Sequence, residues 1–321
     1  MPTCRICESS DHHNRFTARE MMFGLRESFE YFQCISCGCL QIAQIPEDLS
    51  KYYPEDYYSF SEAPESKPIK RFFKQRWASQ LLYKPNLLGM VLQRRYGVPA
   101  MFDWIRRAGI GFDQAILDVG CGGGQFLQTL HNLGFNNLTG VDPFVDRDTR
   151  FSSGVRVLKR TLHKMDGKFD FIILNHSFEH MEDPQDSLAH IHRLLEPGRI
   201  ALLRLPVAGG YAWRTYGVDW VQLDAPRHLF LHTEKSIGIL CEKAGLELAD
   251  TVYDGTAFQF WGSEQYRKDI PLKDDRSYDV NPGRAGFTEG QMQEYNRLAE
   301  ELNAKGDADQ ACFYVRKRLA G

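Results

Sequence analysis

A run of glycines between an apolar segment and a helical one is the part of this sequence best suited to chemistry. Residues 115–119, Ala-Ile-Leu-Asp-Val, form a short apolar segment that predicts a strand. Four of the next five residues are glycine, and apolar residues from Phe126 to Leu133 then recur at helical spacing. Such a strand, turn and helix form a corner where the backbone can approach a nucleotide closely. Asp118, two residues before the first glycine, can take a cation or an amine there.

A second acid supports a nucleoside-containing ligand at this corner. Residues 138–142 are expected to form the next strand, and Asp142 at its end follows Asp118 by 24 residues. An acid in this place can bind both ribose hydroxyls. The glycine spacing differs from the NAD fingerprint, because Gln125 occupies the position of its third glycine, counted from Gly120. An NAD-binding domain and a catalytically inactive Rossmann domain stay open as alternatives.

The segment Asp118-Val-Gly-Cys-Gly-Gly-Gly124 resembles the first motif of class I S-adenosylmethionine-dependent methyltransferases. Three further segments follow in the family's order: the strand that ends in Asp142, the strand 169–174 with the loop 175–184, and the helix, turn and strand of 194–203. The resemblance covers about residues 100–262 and 310–318. It implies an α/β, Rossmann-like fold with seven strands and an enzyme that uses S-adenosylmethionine.

The resemblance also implies how the last two strands are arranged. The seventh strand, 311–315, is expected antiparallel beside the sixth, which should lie near residues 247–260. Residues 262–309 are then an insertion between these strands, and 288–304 within it is predicted to be helical. Because the sixth strand runs towards the edge where open α/β sheets bind ligands, we interpret the insertion as a substrate lid. A dimerisation element or a plain surface elaboration is the alternative.

The resemblance assigns the cofactor contacts to residues at the ends of strands. The expected cofactor-binding residues are Asp118, Gly120, Cys121, Gly122, Asp142, Pro143, Thr161, Leu162, Asn175 and Phe178. Among them, Asp118 should lie near the amino group of the cofactor, Asp142 should bind the ribose hydroxyls, and Pro143 should flank the adenine. The contact of Thr161 and Leu162 with the adenine edge is a weaker expectation, because the family often carries an acid where this chain has Arg160-Thr-Leu.

Two histidines compete for the role of the base that removes a proton from the methyl acceptor. His180 follows the fourth strand beside Glu179, and His228 follows the fifth strand. A neutral imidazole suits proton removal near pH 7. The segment around His228 resembles that of sugar C-methyltransferases, but those enzymes carry Glu-His where this chain has Arg227-His228, which weakens the case for C-methylation. A structural role is the alternative for both histidines.

Four cysteines in two C-x-x-C pairs predict a zinc site near the N-terminus. Cys4 and Cys7 form the first pair, and Cys34 and Cys37 form the second, with 26 residues between the pairs. Each pair can form a tight knuckle, and two knuckles supply the four thiolates of a tetrahedral zinc site. The arrangement resembles the zinc-binding domain found ahead of some methyltransferase domains, so residues 1–46 are expected to be a small zinc-ribbon-like module. A degenerate, metal-free knuckle is the alternative.

The methyltransferase domain is expected at residues 108–321. The region between it and the zinc-ribbon-like module is rich in aromatic residues at first and in basic residues later. The aromatic stretch 52–58 is expected to be part of a surface linker within residues 47–107. Residues 67–107 are basic and partly amphipathic, with a helical stripe that includes Phe72 and Phe73. Their charges form either a solvated face or a surface that docks on an anionic membrane or polymer.

Composition narrows the classes of protein. The chain has 321 residues and a net charge of −3, which gives no general attraction to nucleic acid. The sequence has no run of 18 apolar residues and no pattern of an N-terminal signal peptide. In this context, eight cysteines predict a reducing, cytoplasmic compartment and metal ligation in place of disulfides.

Together these features predict an enzyme that methylates a small polar acceptor. The combination of motifs resembles bacterial methyltransferases of polysaccharide biosynthesis, and by this analogy the acceptor is a sugar hydroxyl of a nucleotide-sugar or a surface glycan. An RNA or protein methyltransferase that grips its substrate with the zinc module is one alternative. A non-catalytic, zinc-stabilised scaffold is the other.

Overall fold

The computed structural model of the chain describes residues 3–11, 13–53 and 67–319. The chain divides into two compact units. The first comprises Met1–Pro54, His176–Asp186 and Leu203–Phe313, and the second comprises Glu55–Asn175, Ser187–Leu202 and Tyr314–Gly321. This division differs from the expected boundaries after residues 46 and 107, because the cysteine-rich N-terminal residues and residues 203–313 belong to one unit.

Strands and helices alternate through most of the chain. The strands are β1 Asn14–Arg19, β2 Ser28–Gln33, β3 Leu40–Ile42, β4 Ala115–Val119, β5 Asn137–Val141, β6 Thr149–Arg150, β7 Arg156–Leu158, β8 Phe169–Asn175, β9 Leu195–Pro206, β10 Phe230–Leu231, β11 Leu246–Tyr253 and β12 Gln310–Lys317. The α-helices are α1 Pro68–Leu82, α2 Leu87–Tyr96, α3 Ala100–Ala108, α4 Gln125–Leu133, α5 Pro184–Leu194, α6 Tyr211–Tyr216, α7 Glu234–Lys243, α8 Phe258–Arg267 and α9 Glu289–Lys305. The side chains of Thr233 and Thr288 cap α7 and α9 in capping boxes.

The second unit contains a mainly parallel sheet. Its strands lie side by side in the order β9, β8, β4, β5, β7 and β6. Strand β4 is parallel to both β5 and β8, β5 is parallel to β7, and only the pairing of β6 with β7 is antiparallel among the registers described. The carboxyl ends of β4, β5, β7 and β8 therefore meet at one edge of the sheet, which is where ligands bind in open α/β sheets.

The first unit contains β11, residues 310–313 of β12 and residues 203–206 of β9, and also a separate four-stranded sheet in the order β1, β2, β3 and β10. The four-stranded sheet is antiparallel throughout. In its last pairing, Phe230 lies opposite Gln41, and Leu231 lies opposite Leu40. The cysteine-rich residues consequently share their sheet with residues from much later in the chain, and residues 1–46 do not form a complete sheet of their own.

Two expectations about strands need correction. Strand β6, only two residues long, adds an eighth member to an arrangement for which seven strands were expected. The sixth strand of the expected scheme corresponds to β11, which ends at Tyr253 and not near Phe260. Residues Asp254-Gly255-Thr256 interrupt the extended chain, and Phe258–Phe260 then begin helix α8. As expected, β12 lies beside β11.

The basic region forms the helices α1, α2 and α3, but the expected apolar stripe is only partly buried. Leu81 is buried, whereas the side chains of Phe72 and Phe73 are 48% and 41% exposed. Of the expected aromatic linker, Tyr52 is buried and donates to Glu27 Oε2 at 2.7 Å. Residues 54–66 lie outside the described part of the chain. Within the described part, no helix combines the length and the apolar character needed to cross a membrane.

Candidate active site

The glycine turn identified from the sequence joins β4 to α4 in the second unit. Gly120, Gly122 and Gly124 have φ angles of 75°, 50° and 81°, in the left-handed region that favours glycine. A Cβ atom on Gly124 would also lie 2.8 Å from Val157 Cγ2. The amide of Gly120 donates to Val141 O at 2.8 Å, which ties the turn to β5. The backbone path itself therefore requires glycine, and it leaves the start of α4 without side chains at Gly122 and Gly124.

Asp142 links the end of β5 to this turn. Its Oδ2 accepts a hydrogen bond from Gly122 N at 2.9 Å, and its Oδ1 accepts one from Phe144 N at 2.8 Å. Burial raises the pKa of Asp142, and these two hydrogen bonds act in the opposite direction. Each carboxylate oxygen has a second lone pair, so the expected bonds to a ribose diol remain chemically open.

Asp118 is the second carboxylate of the corner and lies near the end of β4. The residue is only 4% exposed. Burial, and then the charge of Asp142, raise its pKa to about 7. A buried carboxylate in this state is stabilised by a cation. The expected partner, the ammonium group of a bound amino acid moiety, would supply that charge.

Cys121 lies within the turn, and its side chain packs against β5. A Cβ atom at Gly140 would collide with Cys121 Sγ, so the glycine in β5 makes room for the thiol. Burial, Asp118 and Asp142 all raise the pKa of Cys121. The thiol therefore stays protonated near neutral pH and is a poor nucleophile.

The other expected cofactor contacts of the second unit follow the carboxyl ends of β5, β7 and β8. Pro143 is exposed, Thr161 is half-buried at the start of a helical turn, Leu162 is buried, and Asn175 is half-buried at the end of β8. Phe178 belongs to the first unit, where it is fully buried and its ring centroid lies 5.2 Å from that of His232.

The two candidate bases lie together in the first unit, in a group with Glu179 that we call the histidine cluster (Glu179, His180 and His228). One ligand atom of each lies within 4.8 Å of the others. His228 Nε2 is 3.9 Å from Glu179 Oε1, and the rings of the two histidines are 4.8 Å apart between centroids. Glu179 is fully buried and His228 is 7% exposed. The sequence placed Glu179 beside His180 but gave it no role.

Backbone carbonyls fix the rings of both histidines. His180 Nδ1 lies 2.8 Å from Arg227 O, and His228 Nδ1 lies 2.8 Å from Gln222 O. A carbonyl can only accept, so each Nδ1 carries the hydrogen, and each neutral ring keeps its lone pair on Nε2. Burial lowers the pKa of His228 to about 4, although Asp224 acts in the opposite direction, so the ring is neutral near pH 7.

Glu179 is ionised despite its burial. Burial alone would raise its pKa, but the neighbouring His176, His180 and His228 outweigh burial and lower it to about 2. His176 Nδ1 approaches Glu179 Oε1 to 3.4 Å. His176 Nε2 in turn accepts a hydrogen bond from Arg204 at 2.7 Å, which assigns the hydrogen of this ring to Nδ1. His176 thus has a supporting role and turns its one N–H towards Glu179.

The buried contacts of the Arg227 side chain give a structural reason for an arginine before His228, in the loop that precedes β10. The guanidinium group is fully buried and donates to Asp224 Oδ1 at 2.6 Å and to Glu20 Oε1 at 2.9 Å. Glu20 also accepts from the amides of Phe23 and Leu25 at 2.9 Å. Arg227 therefore fixes the loop before His228 to the residues that follow β1, and it is a structural residue. A partner 207 positions away leaves no local signal in the sequence.

The four cysteines of the two C-x-x-C pairs converge in the first unit. Cys4 Sγ lies 3.6 Å from Cys37 Sγ, and Cys7 Sγ lies 3.6 Å from Cys34 Sγ. These distances are too long for disulfides. They are close to the roughly 3.8 Å edge of a tetrahedron of sulfurs around zinc, given Zn–S bonds of about 2.3 Å. Gln41 Nε2 also donates to Cys4 Sγ at 3.0 Å, as suits a thiolate.

Helix α7 holds the cysteine knuckles in place. The Thr233 hydroxyl donates to Cys37 O at 2.6 Å, and Lys235 Nζ donates to Ser36 O at 2.6 Å. Lys243 Nζ, at the other end of the helix, donates to Ile6 O at 3.0 Å. Each knuckle is therefore bonded to α7 through its backbone, consistent with a structural role for a bound metal.

The sequence of this chain is similar to those of known methyltransferases. A family model described as a methyltransferase domain matches residues 92–251. A protein of Pseudomonas aeruginosa (strain UCBPP-PA14) named ubiquinone biosynthesis O-methyltransferase is 32% identical over 174 residues, which cover 48% of this chain and 73% of the relative. A protein of the same name from Aromatoleum aromaticum is 26% identical over 170 residues, which cover 47% and 72%. The crystal structure of an S-adenosylmethionine-dependent methyltransferase from Mesorhizobium loti aligns with 16% identity and a TM-score of 0.42, over 68% of this chain and 98% of that one.

Proposed function

The chain belongs to the family of S-adenosylmethionine-dependent methyltransferases, and we propose that it transfers the methyl group to a hydroxyl oxygen of a small molecule. In this reaction the oxygen attacks the methyl carbon in line with the sulfur. The S–CH₃ bond breaks, the O–CH₃ bond forms, S-adenosylhomocysteine leaves, and the acceptor loses one proton. The protein must supply alignment, a destination for the proton and exclusion of water.

The corner formed by Asp118, Asp142 and the glycine turn is the observation that carries the proposal. Asp118 is a buried carboxylate whose pKa of about 7 calls for a cation, and the methionine part of the donor has an ammonium group. Asp142 ends the adjacent strand and holds Gly122 N at 2.9 Å, so it can bind ribose hydroxyls beside the turn. Pro143, Thr161, Leu162 and Asn175 are the other proposed cofactor contacts of the second unit.

The histidine cluster is the proposed place where the acceptor loses its proton. His228 and His180 both direct their Nδ1–H groups to backbone carbonyls, which leaves the Nε2 lone pairs to receive a proton. Glu179 is ionised beside them and favours the charged form of an imidazole. These assignments rest on the geometry within the cluster.

Oxygen is the proposed acceptor atom because the relatives that align over about half of this chain are named O-methyltransferases. Their printed names refer to ubiquinone biosynthesis, and no relative reported above is named for a sugar substrate. The sugar hydroxyl of a nucleotide-sugar or glycan therefore stays a prediction from the sequence alone. The Cys4, Cys7, Cys34 and Cys37 site is proposed to bind one structural zinc ion.

Transfer of a labelled methyl group tests the proposal directly. The full chain is incubated with methyl-labelled S-adenosylmethionine and separate panels of phenolic, sugar and amine acceptors, and the product is examined by NMR. We expect an O-methyl product that is lost in Asp118→Asn and retained in Asp166→Asn, since the Asp166 side chain is 96% exposed. Products methylated only at nitrogen or carbon would overturn the assignment of oxygen.

A further inference from the structure

The histidine cluster brings one carboxyl group and two imidazole rings together, with Glu179 and His228 buried and His180 half-buried. Both oxygens of Glu179 are buried and have no hydrogen-bond partner among the residues that the structure describes. The Nδ1 atom of His176 is 3.4 Å from Oε1, which is long for a charge-assisted hydrogen bond. Burial of a carboxyl group whose oxygens lack hydrogen-bond donors is costly unless a donor or a cation compensates it.

The two histidines add lone pairs and no hydrogens to this place. Each Nδ1–H is used by a backbone carbonyl at 2.8 Å, so each Nε2 is an acceptor. The hydroxyl of Tyr53, 3.2 Å from His180 Nδ1, lies on the same side of that ring as its carbonyl partner. Asp224 Oδ2 lies 3.8 Å from His228 Nε2 and is a further acceptor there. His228 Nε2 therefore has two carboxylate oxygens within 4 Å, those of Glu179 and Asp224, and neither oxygen can donate a hydrogen bond when its carboxylate is ionised.

From this geometry we infer that Glu179, His180 and His228 bind a divalent transition-metal ion. A histidine that ligates a metal commonly donates its other ring N–H to a backbone carbonyl, as both histidines do here. Ligand atoms about 2.0–2.2 Å from a metal lie roughly 3–4 Å from one another. The 3.9 Å between His228 Nε2 and Glu179 Oε1 and the 4.8 Å limit for the whole cluster need only small side-chain movements to reach that range.

The donor set selects the class of metal. Two imidazole nitrogens and one carboxylate oxygen suit Zn²⁺, Fe²⁺, Co²⁺ or Mn²⁺, whereas Mg²⁺ and Ca²⁺ prefer oxygen alone. Three protein ligands leave at least one position for a hydroxyl oxygen, with Asp224 close enough to His228 to contribute. A metal ion lowers the pKa of a hydroxyl bound to it. With the ion bound, the Nε2 lone pairs of His180 and His228 ligate it and no longer receive the proton directly, and this use of the cluster in catalysis rests on the proposed function.

The inferred site differs from the cysteine site in its chemistry, so one probe separates them. Co²⁺ bound to thiolates gives an intense near-ultraviolet charge-transfer band, whereas Co²⁺ bound to nitrogen and oxygen gives only visible ligand-field bands. The full chain is dialysed against a chelator, its residual metal is measured, and it is titrated with CoCl₂ by absorption and calorimetry. We expect one equivalent of Co²⁺ to bind with visible ligand-field bands and without the charge-transfer band of a Co²⁺–thiolate bond.

Two variants and one control show where the non-thiolate Co²⁺ ion binds. Glu179→Gln and His180→Ala should weaken its binding at least about 100-fold and leave any thiolate signal unchanged. His192→Ala is the matched control, because His192 lies outside the cluster, and it should bind as the parent chain does. Circular dichroism and retained binding of S-adenosylmethionine establish that each variant is folded.

Two results would overturn the inference. One is a parent chain, freed of metal, that binds Co²⁺ only at thiolates. The other is a folded Glu179→Gln or His180→Ala variant with unchanged affinity for the non-thiolate equivalent. Neither measurement requires turnover, so failure of the metal site is distinguishable from failure of the methyl-transfer proposal.

Discussion

Asp142 Oδ2 accepts a hydrogen bond from Gly122 N at 2.9 Å, so the acid that follows β5 holds the turn that leaves β4. The two strands are parallel neighbours, with Asp118 opposite Gly140 in the register. This contact explains how two acids 24 positions apart come to serve one corner. Substitution of Asp142 therefore removes a hydrogen bond that holds the turn, in addition to the proposed ligand contact.

The buried Asp118 should make the stability of the ligand-free protein depend on pH. Its folded-state pKa is raised from 3.8 to about 7 by burial and by Asp142. Between these values the folded state holds more protons than the unfolded state, so stability falls as pH rises from about 4 to about 7 and is level above that. Asp118→Asn should remove this dependence of stability on pH, and it should be more stable than the parent chain at pH 8 by up to about 4 kcal/mol.

Urea denaturation of both proteins at pH 5 and pH 8 measures this effect. The stabilisation of Asp118→Asn should be larger at pH 8 than at pH 5. An equal difference at both values would show that Asp118 is ionised at pH 5 in the folded protein.

The buried Arg227 should be a strong determinant of stability. Arg227→Met leaves Asp224 and Glu20 buried without their cation, and breaking a buried pair in this way costs about 3–5 kcal/mol. Arg214→Met provides the matched control, because its bridge to Asp307 at 2.7 Å is on the surface and should contribute about 0–1 kcal/mol. Similar unfolding free energies for the two variants would contradict the assignment of Arg227 as a structural residue.

The cysteine site should hold about one zinc ion per chain. Cys37→Ser should lose the metal and lower the melting temperature, because binding free energy at a structural zinc site is folding free energy. Cys39→Ser should keep the metal, since Cys39 is buried but lies outside the group of four converging thiols. Elemental analysis of protein purified without chelator provides the readout, and zinc lost from the Cys39 variant alone would reassign the ligands.

His228→Ala should lower turnover by about 10²–10⁴-fold and leave the affinity for S-adenosylmethionine nearly unchanged. The variant loses a lone pair of the histidine cluster, so it should also lose the non-thiolate Co²⁺ equivalent. His192→Ala is again the control. Full turnover in His228→Ala would remove this residue from the mechanism, and loss of cofactor affinity would make its role structural.

The parts of the site that the sequence could predict are those with a local signal. Asp118, the glycines and Asp142 stand within or beside short apolar strands, and period and spacing identify them without knowledge of the fold. Helix α9 was likewise expected at residues 288–304, within about one residue of Glu289–Lys305, and Thr288 caps it.

The parts that could not be predicted depend on contacts between distant residues. Strand β10 is two residues long and exists through its pairing with Leu40 and Gln41. Arg227 donates a hydrogen bond to Glu20, which lies 207 positions away in the sequence. The expected strand near 247–260 was too long, because the apolar residues 258–260 fit a helix as well as a strand and only packing decides between them.

Calorimetric titration of S-adenosylmethionine into the parent chain and into Asp142→Ala measures whether the corner binds the methyl donor and whether Asp142 contributes. We expect binding by the parent chain and a loss of about 1–3 kcal/mol in the variant, from lost charge-assisted hydrogen bonds to ribose. Asp166→Ala, at a side chain that is 96% exposed, should bind as the parent does. No binding by the folded parent chain, or unchanged affinity in a folded Asp142→Ala variant, would contradict the assignment of this corner as the cofactor site.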